Sequence, residues 1–111
     1  MKESDYIEKL FALWPAEGET SDEALALADG AVRAHPDSAR LWCMRGDLIQ
    51  LGSADIPYSL EDALACYERA VSIDPGFAEG YEGIGHFYDA VMPNPSRARR
   101  AFREADRIRR G

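Results

Sequence analysis

Glu79, Glu82, His86 and Asp89 follow one another at spacings of three, four and three. On a helix such spacings put all four on one face, so three carboxylates flank one imidazole. That set invites three kinds of chemistry: proton transfer, metal ligation and attraction of cations. Proton transfer fits worst. Carboxylates on an exposed helical face keep ordinary pKa values, and the chain has no GxSxG, HExxH, P-loop or dinucleotide-binding glycine pattern. Metal ligation fares little better, because a zinc site takes three or four N/S donors. Here the only histidines are His35 and His86, and Cys43 and Cys66 stand 23 residues apart, a spacing that matches no zinc or CxxC motif. The two thiols read as buried and reduced. The expectation is a protein with no catalytic residues, no metal and no cofactor, whose polar stripe is either a solvated face or a seat for a basic partner.

A second charged constellation has the opposite sign. Residues 1 to 96 carry 6 basic and 18 acidic side chains, whereas residues 97 to 111 carry 7 arginines and 2 acids. Within that last segment Ala98, Ala101, Phe102, Ala105 and Ile108 share one helical face, and Arg99, Arg100, Arg103, Arg107 and Arg110 lie elsewhere. Arginines near a helix C-terminus complement its dipole, and their stems cover apolar surface. The alternative is a second contact surface for an acidic partner, a second copy of the chain included, which would make a homodimer. Nucleic acid is disfavoured, since the strongly acidic remainder repels phosphates.

Helices must position these groups. At 111 residues with 46% hydrophobic side chains the chain has the size of one domain able to bury a core. Spacings of three and four predict helices at 4 to 14, 21 to 34, 38 to 51, 60 to 73, 77 to 91 and 97 to 109. Thr20-Ser-Asp-Glu23 reads as a capping box, Asp37 or Ser38 opens the third helix, and Ser59 and Ser96 precede the fourth and sixth. Pro15, His35-Pro36, Gly52, Asp74-Pro75-Gly76 and Met92-Pro-Asn-Pro95 supply the breaks. Strand signals are absent, as are a signal peptide and any apolar run near the roughly 20 residues of a membrane span. The expected location is the cytoplasm. The expected core comprises Leu10, Trp14, Leu25, Leu41, Trp42, Ile49, Leu64, Tyr67, Ile73, Tyr81, Ile84, Tyr88, Phe102 and Ile108.

The chain repeats itself. Ala24, Ala28, Ala31 and Pro36 share their spacing with Ala63, Tyr67, Ala70 and Pro75, and Ala98, Phe102 and Ala105 repeat its first three members. Ahead of each series stands a second helical pattern: Ile7, Leu10, Phe11, Trp14; then Leu41, Trp42, Arg45, Gly46, Ile49; then Tyr81, Ile84, Gly85, Tyr88. In spacing and residue type these units resemble the tetratricopeptide repeat family, W-x2-L-G-x2-Y followed by A-x3-F, A and P. Trp42, Gly46, Ala63, Tyr67, Ala70 and Pro75 carry the match in the second unit, and Tyr81, Ile84, Gly85, Tyr88, Ala98, Phe102 and Ala105 in the third. Three departures stand out: Arg45 replaces the usual Leu, Phe11 takes the glycine slot, and residues 52 to 59 lengthen the second unit. Ile56 and Tyr58 in that insert are either tucked against the helices or presented as a contact.

The resemblance implies an all-α fold, a right-handed stack of three antiparallel helix pairs forming one domain over residues 1 to 111, with units at about 4 to 36, 37 to 75 and 76 to 111. It also implies that the first helix of each pair lines a concave groove for a partner segment. Carried onto this chain, that groove holds Arg40, Cys43, Asp47 and Gln50 from one helix and Glu79, Glu82, His86 and Asp89 from the next. Its acidity points to a basic protein or peptide as guest, the reverse of family members that clamp an acidic tail with Lys, Asn and Arg. The functional expectation is a protein-binding adaptor. Its rival is a small acidic inhibitor or immunity-type protein that blocks a basic active site.

Overall fold

A computed structural model describes all residues, 1 to 111. The elements are α1 (Glu3–Ala12), α2 (Asp22–Ala34), α3 (Ala39–Gln50), α4 (Leu60–Ile73), α5 (Ala78–His86), a π-helical turn (Phe87–Val91) and α6 (Pro95–Arg110), with no strand. Local chemistry explains most of the boundaries. Ser21, Ser38, Ser59 and Asn94 each accept a hydrogen bond from a backbone N–H in the first turn of α2, α3, α4 and α6. At α4 the box is reciprocal, because Asp62 accepts the Ser59 N–H at 2.8 Å. Two of the expected caps move. Ser21, rather than Thr20, caps α2, and Thr20 is buried with its hydroxyl donating to the Leu48 carbonyl at 2.7 Å. Helix α6 begins at Pro95 rather than after Ser96, since proline needs no N–H partner at a first helical position and Asn94 provides the cap.

Each helix packs on the next in sequence, most extensively α3 on α4 and α5 on α6, and α3 also lies directly against α5. The main core runs through the first four helices: Leu10, Ala24, Ala28, Ala31, Leu41, Leu48, Ala63 and Ala70 are wholly buried. A smaller cluster of Phe87, Tyr88 and Ala98, with Leu64, Ile84, Val91 and Phe102 against it, fills the space under α6. The chain measures 35 × 30 × 22 Å with a radius of gyration of 13.6 Å, close to the ~13 Å of a compact domain this long. Of the expected core, Leu10, Leu25, Leu41, Ile49, Tyr67 and Tyr88 are buried, while Trp14, Trp42, Leu64, Ile73, Tyr81, Ile84, Phe102 and Ile108 are half-buried.

After His86 the chain leaves regular α-helical winding. Within this π turn, wider than an α turn, Phe87 and Tyr88, adjacent in sequence, are both buried and their rings meet edge to face at 5.4 Å. Residue spacing alone predicts an unbroken helix over this stretch.

Candidate functional site

Tyr67 organises the face between α3 and α5. Its ring stands where a Cβ on Gly46 would come within 2.9 Å and one on Gly83 within 2.5 Å, so both glycines are backbone surfaces on which the ring lies. The hydroxyl donates to Asp47 Oδ1 at 2.5 Å and accepts from Gln50 Nε2 at 2.9 Å. Burial raises the Asp47 carboxyl above the ordinary aspartate range, with the Tyr67 bond opposing part of the rise. Burial, then the Asp47 charge, pushes the Tyr67 phenol up, and burial does the same to the Cys43 thiol. A neutral tyrosine beside a buried carboxylate is a fixed donor, and neither it nor Cys43 is poised as a nucleophile.

Above this floor opens a hollow of about 330 Å³ lined by Cys43, Asp47, Gln50, Tyr67, Glu79, Glu82, Gly83 and His86. It continues into a second, of about 170 Å³, where Phe11, Trp14, Arg40, Met44 and Phe77 meet Cys43, Asp47 and Glu79. Seven of the eight expected groove residues, Arg40, Cys43, Asp47, Gln50, Glu79, Glu82 and His86, therefore share one face. Asp89 is exposed but does not line it, because the wide turn after His86 rotates it off the stripe. Phe11, Trp14, Met44, Tyr67, Phe77 and Gly83 also line this face, and spacing alone did not bring them there. Phe11, 55% exposed, has the Arg40 guanidinium 5.9 Å over its ring. A bulky residue in a slot that the repeat pattern keeps small was the available signal.

The acidic wall is partly answered from within the chain. Arg109, in the last turn of α6, lies 2.6 Å from Glu82 and 3.4 Å from Glu79. Its hydrogen bond holds the Glu82 carboxyl below the usual glutamate range. Of the other arginines in that helix, Arg107 pairs with Glu104, Arg97 donates to the Tyr88 hydroxyl at 2.9 Å, and Arg110 reaches only the Asp106 carbonyl. Arg99, Arg100 and Arg103 are exposed with no acidic partner, and Arg100 borders a cleft of about 400 Å³ between α4, α5 and α6.

The inserted residues 52 to 59 are tucked in. Ile56 and Tyr58 pack on the main core, the Tyr58 hydroxyl donates to Asp29, and its ring lies 4.7 Å under the Arg45 guanidinium. Arg45 in turn pairs with Asp29 at 2.8 Å and donates to the Cys66 sulfur at 2.9 Å. Burial works against the Arg45 charge, yet the bond to Asp29 together with the Cys66 and Tyr58 contacts outweighs it and holds the guanidinium firmly protonated. Arg45 thus donates through both Nε and Nη1. His35 ends α2 as its C-cap, with Nε2 2.8 Å from the Met1 carbonyl.

No three His, Cys, Asp or Glu side chains converge as metal ligands, and no helix is long and apolar enough to cross a membrane. No protein-family model matches the chain, and no curated protein matches it.

Proposed function

We propose that this protein is a tetratricopeptide-like binding module, a right-handed stack of three helix pairs that receives a basic protein segment on the α3/α5 face and performs no catalysis. The observation that carries the reading is the convergence of Asp47, Glu79 and Glu82 around one hollow with an aromatic rim at Phe11 and Trp14. Carboxylates select and steer a cationic segment, and the apolar rim supplies desolvated contact. Further support comes from Gly46 and Gly85, which fall in the family's glycine slot and are points of close approach in this fold. The adaptor role in the cytoplasm is part of this proposal.

Glu82→Lys tests it. A basic partner captured by the parent protein should bind the variant about tenfold more weakly, roughly 1.4 kcal/mol, with the melting point nearly unchanged. Equal binding removes the face from consideration. Capture of one basic enzyme whose activity the protein abolishes would assign the inhibitor role instead. Arg99, Arg100 and Arg103 favour a second contact with acidic surface, a further copy of this chain included. Sedimentation at low and high salt reads it: association that loosens with salt is expected, and a monomer throughout excludes it.

A further inference from the structure

We propose that Arg109 is an internal competitor for the acidic wall: its guanidinium occupies Glu79 and Glu82 in the free protein and yields them to an arginine side chain of the guest. The inference rests on the binding face described above and specifies its chemistry. A single nitrogen, Arg109 Nη2, reaches Oε1 of two different carboxylates, at 2.6 Å on Glu82 and 3.4 Å on Glu79. Both carboxylates also line the hollow that leads down to Asp47. The cation subsite nearest the mouth is therefore filled by the chain itself, and the seated group is a guanidinium. Because Nη2 alone serves both carboxylates, the Nε and Nη1 donors of a guest guanidinium stay free for further acceptors, and a guanidinium is more weakly hydrated than an ammonium, so the wall favours arginine over lysine.

The contact is built to exchange. Arg109 is 46% exposed and its partners 52% and 36%, so the pair sits in water and is only weakly held. Opening it costs no helix. Ala98, Ala101 and Ala105 anchor α6 by burial, and Phe102 lies on Gly85 and edge-on to His86 at 5.1 Å. Only one side chain must swing. A guest arginine that replaces it faces Asp47 as the next acid inward, and no lysine or arginine of the chain pairs with Asp47.

The test uses two blocked peptides, Gly-Arg-Gly-Arg-Gly and its lysine counterpart, titrated into the whole protein and followed by isothermal titration calorimetry. Parent, Arg109→Ala and Asp47→Asn are compared at about 50 and about 500 mM NaCl, after circular dichroism has shown equal helix content. Arg109→Ala should bind the arginine peptide about two- to fivefold tighter at low salt, with the gain lost at high salt and smaller for the lysine peptide. If Arg109→Ala binds no tighter while Asp47→Asn binds more weakly, the competition is overturned and the binding face stands. If parent and variants all fail to bind, both are overturned.

Discussion

Around Tyr67 the helices are held by burial: a large ring fills the space that Gly46 and Gly83 leave, and aliphatic side chains from four helices close over it. Along α6 the means are different. That helix buries only alanines, sets Phe102 half-exposed against Gly85, and ties its end to α5 through ion pairs in water. The first region has the packing of a permanent core, insensitive to salt. The second is tuned by ionic strength and occupancy, which suits the border of a binding face. Under the proposed function, stability and recognition fall to neighbouring but separable parts of one small fold.

Truncation should separate the two most clearly. Tyr67→Ala is expected to cost about 3–5 kcal/mol in urea unfolding, the range for a fully buried aromatic. Phe102→Ala, from the half-exposed ring on α6, should cost less than half as much, and equal losses would erase the distinction between the regions. A smaller effect comes from glycine. Gly83→Ala must displace the Tyr67 ring and should destabilise by about 1–3 kcal/mol. Gly30→Ala, where nothing lies within 4 Å, should instead stabilise α2 by about 0.5–1 kcal/mol. Stabilisation by both, measured by thermal melts, would mean that the close approach to Tyr67 is not tight.

The smallest effect concerns protons. Because the folded-state pKa of Asp47 is raised, the folded protein holds that proton more firmly than the unfolded chain. The group's contribution is therefore most favourable in acid and is lost as pH rises from the ordinary aspartate value through the folded one. Asp47→Asn abolishes that loss. Urea midpoints of variant and parent should shift relative to one another in the variant's favour between acid and neutral pH; a constant gap would mean that Asp47 is not effectively buried.

Helix number and order were legible because prolines, glycines and serines punctuate apolar periodicity, and the α4 boundaries agree to the residue. The π turn was not. Its sequence carries no distinctive trace, because adjacent buried pairs such as Leu48-Ile49 and Cys66-Tyr67 also occur in the regular helices, and helical periodicity read on through it. The Glu79, Glu82 and His86 stripe was legible from spacing alone. Asp89 fell outside it for the same reason that Phe87 fell inside the core. Arg109 was invisible as a partner of Glu82, since 27 residues separate them and only the antiparallel packing of α5 and α6 brings them together. Tyr67 read as core, which it is, but the reach of its hydroxyl to Asp47 and Gln50 depends on the α3/α4 register.

The insert that folds over Arg45 has a consequence for how the protein comes apart. Proteins assembled from neighbouring helix pairs tend to fray pair by pair, since each touches only the next. Asp29 works against this: it belongs to α2, yet takes the Arg45 guanidinium from α3 and the Tyr58 hydroxyl from the chain leading into α4. One carboxylate thereby ties α2 to α3 and to the approach to α4, and the expected consequence is that these helices unfold together. Without it, the melting curve should broaden before its midpoint falls, a loss of cooperativity rather than of strength.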